Sequence, residues 1–198
     1  MAAADTSTKV YGKAGQDGKS TGDCPFTHKA RLALEVQGIP YEFEPIDLKN
    51  KPDWYLKINE QGSVPSMTTP DKTITSSDEI VAYADENGKQ SYKLKDKTNG
   101  LDAVGNVFKA FTSYIQEKDE DRAKMNEKQL TQVLGEINSI LEKSGGPFMS
   151  GKEFGKVDCD LAPKLYAVKV AAKHFKVSLF SEGQSILTKT GFYTSSQL

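Results

Sequence analysis

The feature that most constrains the fold is a change in hydrophobic pattern near the middle of the chain. Residues 9–88 alternate short strand-like segments with helical periods, in the order strand, helix, strand, helix, strand, strand, helix. Beyond residue 101, apolar residues recur every three or four positions over long stretches, which is typical of long helices. The polar, aperiodic segment 89–100 is predicted to be a linker. The sequence therefore predicts an α/β domain at 1–88 and an all-helical domain at 101–198.

Turn and cap signals set the expected bounds of the elements. Pro45 lies inside one predicted strand, so that strand should lie at the edge of the sheet. In the first domain the predicted strands are 9–12, 41–46, 64–67 and 73–75, and the predicted helices are 25–37, about 50–58 and 77–87. In the second domain the predicted helices are 101–115, about 130–141 and 158–175. The charged segment 119–122 is predicted to be a solvated turn, and no element is predicted after 177.

Composition narrows the class of protein. The 198 residues are 37% hydrophobic and 27% charged, with a net charge of -1, so we expect no nucleic-acid partner. No apolar run approaches the roughly 20 residues of a membrane span, and the first nine residues lack the features of a signal or transit peptide. Two cysteines suit a reducing compartment, and two histidines with two distant cysteines form no metal-ligand pattern. We expect a cytoplasmic, monomeric protein without a metal and without a membrane partner.

Cys24 is the candidate reactive residue. It directly precedes Pro25, and proline is favoured at the first position of a helix. Thiols at helix N-termini are generally more acidic and more reactive than a free thiol, whereas many free cysteines are simply small buried hydrophobes. The residue three positions on is Thr27 rather than a second cysteine, so an oxidised Cys24 would need an external thiol. Thr27 could hydrogen-bond the thiolate or cap backbone groups.

The other titratable candidates are less specific. His28 follows Cys24 by four residues, a spacing that can bring two side chains together on a helix. It could act as a base for the cysteine, or it could face solvent. Cys159 falls on a predicted apolar helix face, where a buried structural thiol is expected.

Two further segments suggest a peptide-like ligand. Val64-Pro65 precedes a predicted strand, and a cis bond there could leave the backbone of Val64 free to pair with an extended peptide. Ser77-Asp78 opens the third helix, where a capping side chain and free N–H groups can hold a carboxylate. Ordinary trans-proline and plain capping are the alternatives.

Together these motifs resemble the thioredoxin-like domain of glutathione transferases. The similarity is greatest to the plant and algal dehydroascorbate reductases and runs from about Lys13 to Phe175. Its motifs are Gly22-Asp23-Cys24-Pro25-Phe26, Asn50-Lys51-Pro52-Asp53-Trp54, Gly62-Ser63-Val64-Pro65 and Leu161-Ala162-Pro163-Lys164-Leu165-Tyr166. The resemblance implies a glutathione transferase fold, glutathione as co-substrate and dehydroascorbate as the compound reduced.

The resemblance also implies roles for individual residues. Cys24 would be the redox nucleophile, passing through a sulfenic acid and a mixed disulfide. Lys13 and Asp23 would help to hold the ascorbate ring. The implied glutathione-binding residues are Lys51 for the glycine carboxylate, Val64 and Pro65 for the peptide backbone, Ser77 for the γ-glutamyl carboxylate, and Ser76 and Asp78 beside it. The family usually has an acidic residue where this chain has Ser76, and Asp78 could partly take over its contact with the γ-glutamyl ammonium.

The sequence is also compatible with two alternative functions. The same Cys24 would serve an omega-like glutathione-dependent thiol transferase. The segments 17–19 and 158–161 also resemble chloride intracellular channel proteins, which share the fold and insert into membranes. Insertion needs a strongly apolar first helix, and here that helix carries Lys29, Arg31 and Glu35.

Overall fold

The structure is a computed structural model that describes residues 8–89, 94 and 101–175, with the backbone alone for 172–175. Its internal contacts divide the chain into two compact units, Met1–Lys93 and Leu94–Leu198, and each is described by itself below. Most of the predicted linker and all of the tail after residue 177 lie outside the described residues.

The first unit is a four-stranded mixed sheet with three helices. The strands are β1 (Lys9–Lys13), β2 (Glu42–Ile46), β3 (Ser66–Thr68) and β4 (Thr73–Ile74), and the helices are α1 (Pro25–Gln37), α2 (Asp53–Ile58) and α3 (Ser77–Asn87). The sheet order is β2-β1-β3-β4, with β1 parallel to β2 and antiparallel to β3. The predicted order of elements is confirmed, and the strand containing Pro45 lies at the edge as expected.

Helices α1 and α3 pack against each other, and small apolar residues are among the buried side chains of both. Ala30 and Ala33 of α1 and Ala84 of α3 are fully buried, beside larger core residues such as Leu34 and Ile80. Helix α1 ends at Gly38, whose φ of 68° is the left-handed cap conformation that glycine adopts without strain. The end of α1 predicted from this glycine is confirmed.

Helix α2 begins later than the sequence suggested. It starts at Asp53 with Pro52 as its N-cap residue, rather than near Asn50 or Lys51. A proline disfavours the helical conformation in the residue before it, and Pro52 itself is extended, so the helix begins only after Pro52.

The described part of the second unit contains three long helices: α4 (Leu101–Gln116), α5 (Glu120–Ser144) and α6 (Lys156–Phe175). They bury a common apolar core that includes Val104, Leu134, Ile137 and Leu161. In the described part of the chain, no helix has the length and hydropathy needed to cross a membrane.

The prediction of a solvated turn at 119–122 was wrong. Asp119 is the N-cap of α5, its carboxylate accepts a hydrogen bond from the Arg122 amide at 3.0 Å, and the helix continues from Glu120. Acidic residues suit the first turn of a helix because its N-terminus carries partial positive charge. The apolar stripe starts only at Leu130, since no side chain from Glu120 to that point is buried, and this concealed the first turns of the helix.

Candidate active site

The sheet register brings the predicted site segments to one end of the first unit. Tyr11 of β1 pairs with Ser66 of the antiparallel β3, so the end of β1 lies beside the beginning of β3. The start of α3 lies beside the start of α1, because Lys29 Nζ donates to Asp78 Oδ1 at 2.6 Å. The segment around Cys24, which connects β1 to α1, therefore lies at the same end of the sheet as Val64-Pro65.

Cys24 occupies the N-cap position of α1, as predicted. Its φ and ψ of -73° and 111° are extended, Pro25 follows at the first helical position, and the side chain is half-buried as a free thiol. The sulfur makes no capping hydrogen bond, and Thr27 Oγ1 is buried with no partner among the described residues. Neither of the two hydrogen bonds considered for Thr27, to the sulfur or to a backbone group, is therefore present. The sulfur is nevertheless partly exposed at the N-terminus of the helix, where a small substrate can reach it.

Lys13 and Asp23 form an ion pair in the segments on either side of the loop that leads to Cys24. Lys13 Nζ donates to Asp23 Oδ1 at 2.5 Å, and this hydrogen bond lowers the pKa of Asp23, which is therefore ionised at neutral pH. The Gly22 amide donates to the Lys13 carbonyl at 2.7 Å and ties the two segments together. The structure thus brings together the two residues predicted to hold the ascorbate ring, and one of them, Asp23, immediately precedes Cys24.

The loop between these segments has an ordered fold that the sequence did not reveal. Asp17 Oδ1 accepts hydrogen bonds from the amides of Ser20 and Lys19 and from the Ser20 hydroxyl, at 2.8, 2.9 and 2.8 Å. These bonds lower the pKa of Asp17 to about 2. Ala14 and Thr21 form an isolated β-bridge that closes the loop. The Gly/Asp/Ser-rich composition predicted a loop, and the Asp-x-x-Ser spacing of this turn is the signal that could have located it.

An open cleft of about 840 Å³ lies along this loop. It is lined by residues 13–18 and 20–23 and by 47–49, which follow β2. Lys13 and Asp23 are both part of its wall. The cleft therefore offers space for a small polar molecule beside the ion pair.

Val64-Pro65 begins a well-anchored edge. The Val64–Pro65 peptide bond is cis, and no group in the described part of the chain hydrogen-bonds to the Val64 backbone. The preceding carbonyl, that of Ser63, accepts hydrogen bonds from Tyr55 OH at 2.5 Å and Asn59 Nδ2 at 2.8 Å. Burial raises the pKa of Tyr55, so its hydroxyl remains a donor at neutral pH. Two buried side chains thus fix the residue next to Val64.

Lys51 lies against the turn that precedes this edge. Gly62 has a φ of 61°, and a Cβ built on it would come 2.8 Å from Lys51 Cδ and 2.9 Å from Lys51 Nζ. Within the described residues, Lys51 has no ion-pair partner. Its ammonium group is therefore close to the segment 62–64 and available to a carboxylate.

The start of α3 differs in detail from the expectation. Ser76, not Ser77, is the N-cap residue, and its side chain makes no capping hydrogen bond. Ser77 is buried at the first helical position. Asp78 has one oxygen bonded to Lys29, but its side chain is 81% exposed. Ser76, Ser77 and Asp78 thus form the start of the helix, where Ser77 is buried and Asp78 is exposed.

The His28 amide donates to the Cys24 carbonyl at 3.2 Å, but its ring makes no hydrogen bond to the Cys24 sulfur. Its Nε2 lies 3.0 Å from the Gly22 carbonyl oxygen, and because that oxygen only accepts, Nε2 carries the hydrogen. Burial lowers the pKa of His28 and favours the neutral ring. The histidine is thus bonded to the loop before Cys24, which places it in a structural contact rather than in the position of a base for the thiol.

Cys159 is fully buried in the second unit, as the sequence predicted. Within residues 8–89, 94 and 101–175, no three His, Cys, Asp or Glu side chains are grouped in a way that could hold a metal ion.

A thioredoxin-like sheet with a cysteine at the start of its first helix and a cis-proline before its third strand, followed by an all-helical unit, is the arrangement found in the glutathione S-transferase class. In agreement, residues 20–91 match the family "Glutathione S-transferase, N-terminal domain". The solved dehydroascorbate reductase of Chlamydomonas reinhardtii is similar to this chain, with a TM-score of 0.81 and 29% identity over 94% of this chain and 86% of that one.

Curated plant relatives narrow the assignment. The probable cytosolic glutathione S-transferase DHAR1 of Oryza sativa subsp. japonica is 35% identical over 78% of this chain and 71% of its own length. The chloroplastic glutathione S-transferase DHAR3 of Arabidopsis thaliana is 34% identical over 78% of this chain and 58% of its own length. The chain belongs to the DHAR group of the glutathione S-transferase family.

Proposed function

We propose that the protein reduces dehydroascorbate to ascorbate at the expense of glutathione, with Cys24 as the redox nucleophile. The observation that carries the proposal is the half-buried Cys24 at the N-cap of α1, which directly follows Asp23, a residue paired with Lys13 in the wall of the cleft. Membership of the DHAR group supports the choice of both substrates.

The reaction divides into three steps whose atoms and electrons balance. The Cys24 thiol reduces dehydroascorbate by two electrons, with one water consumed, and becomes a sulfenic acid while ascorbate leaves. A first glutathione condenses with the sulfenic acid, forms a mixed disulfide and releases the water. A second glutathione thiolate attacks that disulfide, which regenerates Cys24 and releases oxidised glutathione.

The chain's own cysteines explain why two external thiols are needed. The chain has two cysteines, and Cys159 is fully buried. The position where a Cys-x-x-Cys protein has its resolving thiol is Thr27. A sulfenic acid on Cys24 therefore has no accessible internal partner.

Glutathione would lie along the edge that begins at Val64. The unpaired Val64 backbone, next to Pro65, would bond the peptide groups of the tripeptide as an added strand. Lys51 would pair with the glycine carboxylate. The first turn of α3, with Ser76 and Ser77, would receive the γ-glutamyl carboxylate, and the exposed Asp78 would face its ammonium group.

Lys13 and Asp23 would hold dehydroascorbate in the cleft. The Lys13 ammonium can donate to a ring carbonyl, and an ionised Asp23 can accept from the hydroxyl groups of the side chain. Both groups lie in the wall of the same cleft, and Asp23 is the residue before Cys24, so we expect the electron acceptor to bind near the start of α1.

The test is the appearance of ascorbate from dehydroascorbate with glutathione present or absent. We expect Cys24→Ser to abolish the glutathione-dependent rate, and Cys159→Ser to keep most of it because that thiol is buried away from solvent. Full activity of Cys24→Ser would overturn the mechanism. Faster reduction of a mixed disulfide than of dehydroascorbate would instead favour the thiol transferase, and dye release from liposomes would favour the channel-like alternative.

We also propose that the protein is a cytoplasmic monomer with domains at 1–88 and 101–198 joined by a linker. The rice relative is named cytosolic, which supports the compartment, although the Arabidopsis relative is named chloroplastic. Cell fractionation tests the compartment, sedimentation equilibrium tests the monomer, and limited proteolysis within 89–100 tests the linker.

A further inference from the structure

Helix α1 makes two side-chain contacts with the loop that precedes the cysteine. His28 Nε2 donates to the Gly22 carbonyl at 3.0 Å, and Arg31 NH1 donates to Thr21 Oγ1 at 2.8 Å. The two donors are three residues apart and so lie on one face of the helix. They bind consecutive residues, the last two before Asp23.

Each donor is itself held in place. Arg31 Nε donates to Tyr41 OH at 2.8 Å, and its guanidinium lies 4.8 Å from the centroid of the Phe43 ring. His28 is about half-buried, and its neutral ring presents the Nε2 hydrogen to the carbonyl. Because both side chains have limited freedom, the loop segment they bind is restricted in turn.

The bound segment determines where Asp23 lies. The Gly22 amide donates to the Lys13 carbonyl while its own carbonyl accepts from His28, so this peptide is tied to β1 on one side and to α1 on the other. Asp23 follows directly and pairs with Lys13 in the wall of the cleft. If the His28 bond is lost, residues 21–23 gain freedom and the ion pair is held less firmly.

We propose that His28 is a positioning residue for dehydroascorbate: together with Arg31 it fixes the segment 21–23, so that Asp23 and Lys13 stay aligned beside Cys24. This inference deepens the proposed function and rests on it. It assigns His28 a role in substrate alignment and not as a base for Cys24, since its ring is bonded to the Gly22 carbonyl and makes no hydrogen bond to the sulfur.

The kinetic test separates the two substrates. His28→Ala should raise the KM for dehydroascorbate about two- to tenfold, the effect of one hydrogen bond, with the KM for glutathione unchanged because glutathione binds at the Val64 edge. His28→Gln places an amide N–H2 at a similar reach and should restore the wild-type KM. Asn87→Ala is the matched control, since it also removes a side-chain N–H bond to a backbone carbonyl, that of Tyr83, at the far end of α3.

A readout that does not depend on activity tests the positioning itself. In hydrogen–deuterium exchange, His28→Ala should increase exchange in the segment 14–24 and leave α3 unchanged. Thr21→Val removes the acceptor of Arg31 with little change of shape and should act in the same direction, which keeps the test open if His28→Ala folds poorly.

The outcomes are distinguishable. Unchanged exchange in 14–24 for both variants, an equal rise in both KM values, or a failure of His28→Gln to restore the dehydroascorbate KM would each overturn the proposal. If the wild-type protein does not reduce dehydroascorbate, the proposed function fails, and increased exchange in the variants would still establish the loop contact alone.

Discussion

Replacing Tyr55 by phenylalanine should destabilise the protein and weaken glutathione binding. Tyr55 is fully buried, and its hydroxyl bonds the Ser63 carbonyl at 2.5 Å and lies 3.1 Å from Ser66 Oγ. The loss of the bond to Ser63 costs about 1 kcal/mol, because Asn59 Nδ2 still binds that carbonyl. Ser66 is also fully buried, so leaving its hydroxyl without this partner costs about 1–2 kcal/mol more.

The expected total, about 2–3 kcal/mol, can be tested by a double-mutant cycle in urea. Ser66→Ala alone should cost about 1 kcal/mol, since the Tyr55 hydroxyl keeps its bond to Ser63. The double variant should cost about 2 kcal/mol, less than the sum of the single variants, because no buried Ser66 hydroxyl is then left unpaired. Additive free energies, or a cost below about 0.5 kcal/mol for Tyr55→Phe, would refute the reasoning.

The same substitution links stability to the site. Ser63 precedes Val64, so loosening its carbonyl should raise the KM for glutathione and leave that for dehydroascorbate unchanged. Tyr83→Phe is the matched control, because within the described residues the Tyr83 hydroxyl has no hydrogen bond. It should alter neither the urea midpoint nor the kinetics.

Three further predictions concern two residues beside the cleft and, as a comparison, one glycine on α4. Gly22→Ala would place a Cβ 2.4 Å and 2.8 Å from the carbonyl oxygens of residues 14 and 13, so steady-state assays should show an increased KM for dehydroascorbate. Gly105→Ala, in open space on α4, should instead stabilise the protein by about 0.5–1 kcal/mol in thermal unfolding. Lys13→Met removes the hydrogen bond that lowers the pKa of Asp23, and an NMR titration should show that pKa returning towards about 3.9. The bond to Lys13 contributes its full stability above the ordinary pKa of a carboxyl group, and this stability is lost as the pH falls through the lowered pKa of Asp23. The variant lacks the bond, so acidification below about pH 4 should reduce its stability less than that of the wild type.

Local signals in the sequence were sufficient for the elements that surround Cys24. The start of α1 at Pro25, its end at Gly38 and the edge position of the Pro45 strand all follow from proline and glycine, whose backbone preferences act within a few residues. The same holds for the cysteine, because the N-cap position depends only on where the helix begins. The family resemblance then suggested which ligands these positions bind, namely glutathione and dehydroascorbate.

Contacts between separate segments could not be predicted in this way. The bond from His28 to Gly22 depends on how the loop folds back over α1, and the anchoring of Ser63 by Tyr55 depends on how α2 packs under the turn. Neither produces a hydrophobic period or a cap signal. The first turns of α5 were missed for a related reason, since their solvated face has no apolar stripe and only the Asp119 cap marks their start.

Thr27 is the residue for which sequence and structure disagree most usefully. The sequence suggested that its hydroxyl either bonds the thiolate or caps backbone groups, yet it is buried without a partner among the described residues. An unpaired buried hydroxyl costs about 1–3 kcal/mol. Thr27→Val keeps the shape of the side chain and should therefore stabilise the protein against urea by about 1 kcal/mol or more while leaving turnover unchanged. A variant that is more stable but at least tenfold slower would show that the hydroxyl contacts the sulfur during the reaction, because only a contact formed during turnover could then account for the lost rate. A variant that is less stable would instead contradict the absence of a partner for Thr27 Oγ1 in the folded protein.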